Sequence, residues 1–220
     1  MGGRDRRSEV SQPELVCAGR SVVNTRDNIR RYCGLPWSGG LPETWAYENF
    51  DLTPTGPDDR LGPADYLAAA VIHPGFGNDE MSFFRQAGGN EACEEWLSLL
   101  PRNLDLADAD EATLVQLGRL SEIESGRWLS ITSKVMHRKR PVLVPLFDRA
   151  VADWYRPVTG QRGIAGWPAL VREMHSDLAA PANRSFLADV AVELSSELSG
   201  GAPSELRLMD IAIWMGSHAR

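Results

Sequence analysis

The segment from Ile131 to Val151, ITSKVMHRKRPVLVPLFDRAV, restricts the fold more than any other part of the chain. Pro141 and Pro145 each lack a backbone donor and disfavour helical geometry in the residue before them, so they bracket a short extended connection. Upstream of that break, Trp128, Ile131, Thr132, Val135 and Met136 recur at i, i+3, i+4, i+7 and i+8. This spacing is one apolar stripe of an α-helix. Downstream, Asp148 stands in the first turn of a second helix, where an acid either caps the free amides or serves as a base held near cations. The expected unit is helix, elbow, helix.

On the same wheel Ser130, Lys134, His137 and Arg138 lie opposite the apolar stripe, and Arg140 closes the basic run. Two accounts of that run stand side by side. Cations in a last helical turn complement the negative end of the macrodipole. Guanidinium groups also grip carboxylate, sulfate or phosphate in a bidentate fashion, which makes the run a candidate anion site. On the second account Asp148, His137 and Lys134 are the candidate catalytic residues, and Arg138, Arg140 and Ser130 the candidate substrate-binding residues.

Composition narrows the function classes. At 220 residues and 43% apolar content the chain can bury a core as one domain. A formal charge of -7 opposes nucleic-acid binding through a broad basic face, because such affinity comes mostly from phosphate neutralisation. Cys17, Cys33 and Cys93 are odd in number and far apart, so they form neither a disulfide framework nor a Cys-x-x-Cys metal site, and are expected as reduced thiols in a cytoplasm. No apolar run reaches the roughly 18 residues of a membrane span, so no membrane association is expected.

Taken in order, residues 1–12 are expected as a disordered lead and 13–220 as a single helical domain. Residues 34–63 hold five prolines and the aromatics Trp37, Trp45, Tyr47 and Phe50. They read as an irregular stretch pinned by its aromatics, with a short strand near 44–50, or as a lid. Further helices are expected from about Ser21 to Cys33, from Pro63 to His73, from about Asp79 to Leu100 with an interruption at Gly88-Gly89-Asn90, before and after the central elbow, from Trp167 to Leu178, from about Asn183 to Leu198 and from Ser204 to Met215. His73 is either structural, or a ligand or base. The acids Asp108, Asp110 and Glu111 read as partners of a helix dipole rather than metal ligands, and no metal or cofactor is expected. In the last helix Arg207, Asp210 and Trp214 share a stripe, and Arg207 and Asp210 are spaced to neutralise one another. The fold class is all-α.

The order LGPADYLAAAVI, SKVMHRKRPVLVPLFDRAV and ELRLMDIAIWM resembles an actinobacterial family of unknown function. Its members carry a similar Ser-Lys-x-x-x-Arg-Lys-Arg-Pro run, a following Pro-x-x-Asp and a closing Leu-Arg-x-x-Asp-x-x-x-Trp-Met. The helix, the Pro-x-x-Asp elbow and the next helix are more distantly similar to the helix-hairpin-helix DNA glycosylases, and Asp148 matches their elbow aspartate. The resemblance implies a related helical architecture. It does not carry the activity over, because SEIESGRW replaces the phosphate-gripping hairpin and Lys134 lies only fourteen positions before Asp148.

Three functions follow as expectations. The first is a small-molecule enzyme acting on an anionic substrate by metal-independent lyase or transferase-like chemistry, such as elimination or intramolecular displacement in specialised metabolism. The second is a helix-hairpin-helix-like DNA-binding or base-excision module. The third is a non-catalytic partner subunit or homo-oligomer docking through the apolar face of Leu206, Met209 and Ile213.

Overall fold

A computed structural model describes residues 14–38, 46–56, 59–73, 75–86, 88–126 and 128–218. The expected lead over 1–12 lies outside the described residues. Among the described residues the chain is all-α apart from one two-stranded antiparallel hairpin, β1 (Val16–Cys17) with β2 (Arg20–Ser21). The helices are α1 (Thr25–Tyr32), α2 (Pro63–Val71), α3 (Asn78–Gln86), α4 (Gly89–Ser98), α5 (Glu111–Gly118), α6 (Leu129–Lys139), α7 (Arg149–Thr159), α8 (Trp167–Ala179), α9 (Pro181–Glu197) and α10 (Glu205–His218). The hairpin was not anticipated from the sequence: two-residue strands are too short to show alternation. The strand expected near 44–50 is, where described, a single π-turn over Tyr47–Asp51 with Tyr47 and Phe50 turned into the core.

Pro141 breaks the helix as read, but the connection that follows begins as a turn over 141–143 rather than as extended backbone. Arg140 leaves helical geometry at φ -139 and ψ 65, and Leu143 and Val144 fold back onto its carbonyl at 3.0 and 2.9 Å. Pro157 does not end α7, which runs on to Thr159 and closes at Gly160 with φ 66, a left-handed cap that suits glycine. α10 packs on α1, α7 and α9, so the first and last of these helices meet. Its Leu206, Leu208, Met209, Ile211 and Ile213 are all buried. The face expected to await a partner is therefore part of the chain's own core, each large side chain contributing about 1.5–3 kcal/mol.

α6 differs from the amphipathic helix read from its stripe, because every residue from 131 to 140 is buried, the basic ones included. Arg138 donates to the Phe50 and Thr53 carbonyls, and Arg140 to Asp59 and to the Lys139 carbonyl. Lys139 Nζ meets Asp65 Oδ2 and Thr55 Oγ1, both at 2.8 Å. Asp65 is itself fully buried; it accepts from Thr55 Oγ1 at 2.9 Å and from the Gly62 amide at 3.0 Å, where it also caps α2. Three successive cations thus tie the irregular segment between residues 50 and 65 to α6.

Removing one partner of a buried ion pair strands the other charge. We expect Asp65→Ala to lower unfolding free energy by about 3–5 kcal/mol, against about 1 kcal/mol for Thr55→Ala, which removes only a hydroxyl. Urea unfolding of both variants checks this; equal losses would mean that the carboxylate is not what holds the segment.

Candidate functional site

A cavity of about 740 Å³ opens where the end of α2, the α6–α7 elbow, α7 and α10 meet. The elbow is stitched to α6 by side chains on the face opposite its apolar stripe. Ser133 Oγ accepts from the Phe147 amide at 2.9 Å, Lys134 Nζ donates to the Phe147 carbonyl at 3.3 Å, and His137 Nδ1 donates to the Val144 carbonyl at 2.7 Å. These contacts place Asp148 at the N-cap of α7, where Oδ1 accepts the Ala150 amide at 2.8 Å. Among the described residues its second oxygen takes no hydrogen bond, and the carboxylate lines the cavity.

Lys134 lines the same cavity while only 2% exposed. Its ammonium donates to the Ser130 carbonyl and Oγ, both at 3.1 Å, and to Phe147, so its three donors all meet neutral oxygens. Among the described residues no carboxylate is in ion-pair contact with it. Burial lowers its pKa, opposed by the more distant charges of Asp148 and Asp210.

The opposite wall comes from α10. Arg207 donates through Nε to Asp51 Oδ1 at 2.9 Å and through its other nitrogens to Asp210 Oδ2 and the Tyr32 hydroxyl, with Phe50 and Tyr32 rings 5.1 and 5.0 Å from the guanidinium. Asp210 is 3% exposed, and among the described residues its Oδ1 has no hydrogen-bond partner, a cost of about 1–3 kcal/mol for a buried acceptor. Trp154 and Trp214 supply apolar surface, and Arg20 lies 4.1 Å over the Trp154 ring.

Of the residues singled out from the sequence, Asp148 and Lys134 reach the cavity, and Ser130 reaches it only through Lys134. His73, whose Nδ1 lies 3.5 Å from Ser130 Oγ, sits behind them, with its pKa lowered by burial and then by the Lys134 charge. Arg138 and Arg140 point away to the partners described above, and His137 is wholly enclosed, with its ring stacked on Phe50 at 6.1 Å. His137, Arg138 and Arg140 have internal partners and do not line this cavity. Tyr32, Arg20 and Trp154 were not singled out as site residues. Their signal is weak, since they come from elements separated by long stretches of sequence. Arg207, Asp210 and Trp214 did show one, a polar stripe on an otherwise apolar helix. Among the described residues no group of three or more His, Cys, Asp or Glu side chains is arranged to hold a metal ion.

Two enclosed groups titrate in opposite senses. Burial lowers the His137 pKa from 6.5 to about 4, and burial raises that of Asp210 from 3.8 to about 6 against the pull of Arg207. As pH falls from 6.5 towards 4, the unfolded chain protonates His137 while the native chain does not, which weakens the fold. As pH falls from about 6 towards 3.8, the native chain protonates Asp210 while the unfolded chain does not, which offsets that loss. In Asp210→Asn the offset is gone. Its urea midpoint should fall more steeply than that of wild type between pH 6.5 and pH 4; parallel curves would show that Asp210 is already ionised across this range.

No helix among the described residues is long and apolar enough to cross a membrane. Neither a search of curated proteins nor a search of solved structures returned a match. The model of the family of unknown function DUF6308 matches residues 25–217, and the chain belongs to that family.

Proposed function

We propose that the chain is a small-molecule enzyme acting on a substrate that bears a carboxylate, phosphate or sulfate, in the cavity between Lys134 and Asp148. One observation carries the reading: a buried lysine ammonium, met only by neutral oxygens, shares a cavity wall with a carboxylate that keeps one oxygen free. A buried charge favours a counter-ion, and here an anionic ligand supplies it. Asp148 takes a proton from the substrate, and Lys134 meets the negative charge that develops on the departing or displaced oxygen. Elimination and intramolecular displacement both use this pair, in keeping with metal-independent lyase or transferase-like chemistry. A DNA-binding role draws less support, because Arg138, Lys139 and Arg140 are turned inward and buried rather than offered to phosphates.

The test is thermal stability of wild type and Lys134→Met against phosphate, sulfate, small carboxylates, phosphorylated and sulfated metabolites and a short DNA duplex. A ligand at 100 times its dissociation constant stabilises by about 2.7 kcal/mol, a readable shift in Tm. A small anion should stabilise wild type and leave Lys134→Met unmoved. Stabilisation by DNA alone, or equal shifts in both proteins, would overturn the reading. Once turnover is found, Asp148→Asn should preserve the α7 cap, since Asn caps as well as Asp, and lower kcat by about 10²–10⁴-fold.

A further inference from the structure

Arg20, Lys134, Arg149 and Arg207 all line the cavity, and they are not equally available to a ligand. Arg207 is committed to Asp51, Asp210 and the Tyr32 hydroxyl. The Arg149 side chain is 97% exposed and lies 3.8 Å from Asp153. Arg20 is exposed, lies over the Trp154 ring and donates to the Trp154 carbonyl. Among the described residues Lys134 is therefore the buried lining cation that meets no carboxylate.

One ammonium beside one carboxylate suits an anion of a single charge. Asp148 lines the same space and repels a second negative charge on the ligand. The groups that usually grip a phosphate dianion are also taken up: the Arg207 fork is filled, and the Ala150 amide at the start of α7 is bound by Asp148 Oδ1. The rest of the wall is apolar. Trp154 and Trp214 are both partly exposed, and Val71, Ile72, Leu146 and Ile211 continue their surface. A cavity of about 740 Å³ is far larger than an inorganic anion fills. It lies within the roughly 300–1,000 Å³ of sites that enclose organic ligands.

Resting on the reading of this cavity as a substrate site, we propose that its substrate is a singly charged oxyanion, a carboxylate or a sulfate monoester, carried on a bulky apolar body such as an aromatic ring. The oxyanion faces Lys134, which exchanges a neutral acceptor for a charged one. The body lies against Trp154 and Trp214, whose rings offer it flat apolar surface. In this arrangement the two tryptophans determine specificity, while Lys134 supplies the charge that any small anion would also meet.

Calorimetric titration of the wild-type chain tests this with acetate, phenylacetate, indole-3-acetate, phenyl sulfate, phenyl phosphate and the neutral phenylacetamide, at about pH 8, where a phosphate monoester is a dianion. At least one of phenylacetate, indole-3-acetate and phenyl sulfate should bind about tenfold or more tightly than acetate, because the ring buries apolar surface. The same compound should exceed phenylacetamide and phenyl phosphate by a similar factor, and its headgroup separates a carboxylate from a sulfate ester. Trp214→Ala should remove the advantage over acetate and leave acetate binding unmoved; the comparison on wild type stands even if that variant fails to fold. If acetate binds as tightly as the aryl anions, the apolar body is wrong while the Lys134 anion site stands. If phenyl phosphate binds as tightly as phenyl sulfate, the single charge is wrong. If phenylacetamide binds as tightly as phenylacetate, Lys134 holds no anion and both readings fall. If none of these compounds binds while inorganic phosphate does, the apolar monoanion alone is overturned.

Discussion

Burying an ammonium or a guanidinium costs several kcal/mol unless oxygen atoms meet it in the interior. α6 and the residue that ends it bury Lys134, His137, Arg138, Lys139 and Arg140 within seven residues, and much of the surrounding architecture answers that demand. Regular helices are poor suppliers, since their carbonyls are occupied by amides four residues on. Irregular backbone is a good one. The Phe50 and Thr53 carbonyls take Arg138 at and beyond the end of a π-turn, and the side chains of Thr55, Asp59 and Asp65 complete the set. The coil after residue 50 is therefore the acceptor surface for α6 rather than a passive connection.

The same principle separates framework from site. Arg207 is matched by Asp51, Asp210 and the Tyr32 hydroxyl, and through them it joins α10 to α1 and to the turn Tyr47–Asp51. Lys139 is matched by Asp65. Lys134, on the same helix and just as deeply buried, meets only neutral oxygens and faces the cavity. Within one run of basic residues, the contrast between a cation matched by a carboxylate and one facing open volume distinguishes a structural role from a candidate catalytic one. Asp148 shows a similar division within one side chain, with one oxygen holding the α7 amide and the other taking no hydrogen bond among the described residues.

Local signals in the sequence were sufficient for the helices and the elbow. Apolar spacing marks α6 and α10, the prolines at 141 and 145 mark the break, and an acid ahead of an apolar run marks the start of α7. They also identified Asp148 and Lys134 as titratable groups near one another. They did not show that Arg138 and Arg140 turn inward. Helical periodicity reports which residues share a face, but not what that face meets. The partners of Arg138 lie 88 and 85 positions away, in a segment with no periodicity of its own.

The sequence by itself determined most of the helices and the helix–elbow–helix at the centre, because proline geometry and the 3.6-residue repeat act over a few neighbouring residues. Tertiary structure alone decided which charges are matched and which face the cavity. That outcome depends on long-range burial: Tyr32, Asp51, Arg207 and Asp210 come from distant parts of the chain, and the packing of α1 against α10 brings them together around one guanidinium.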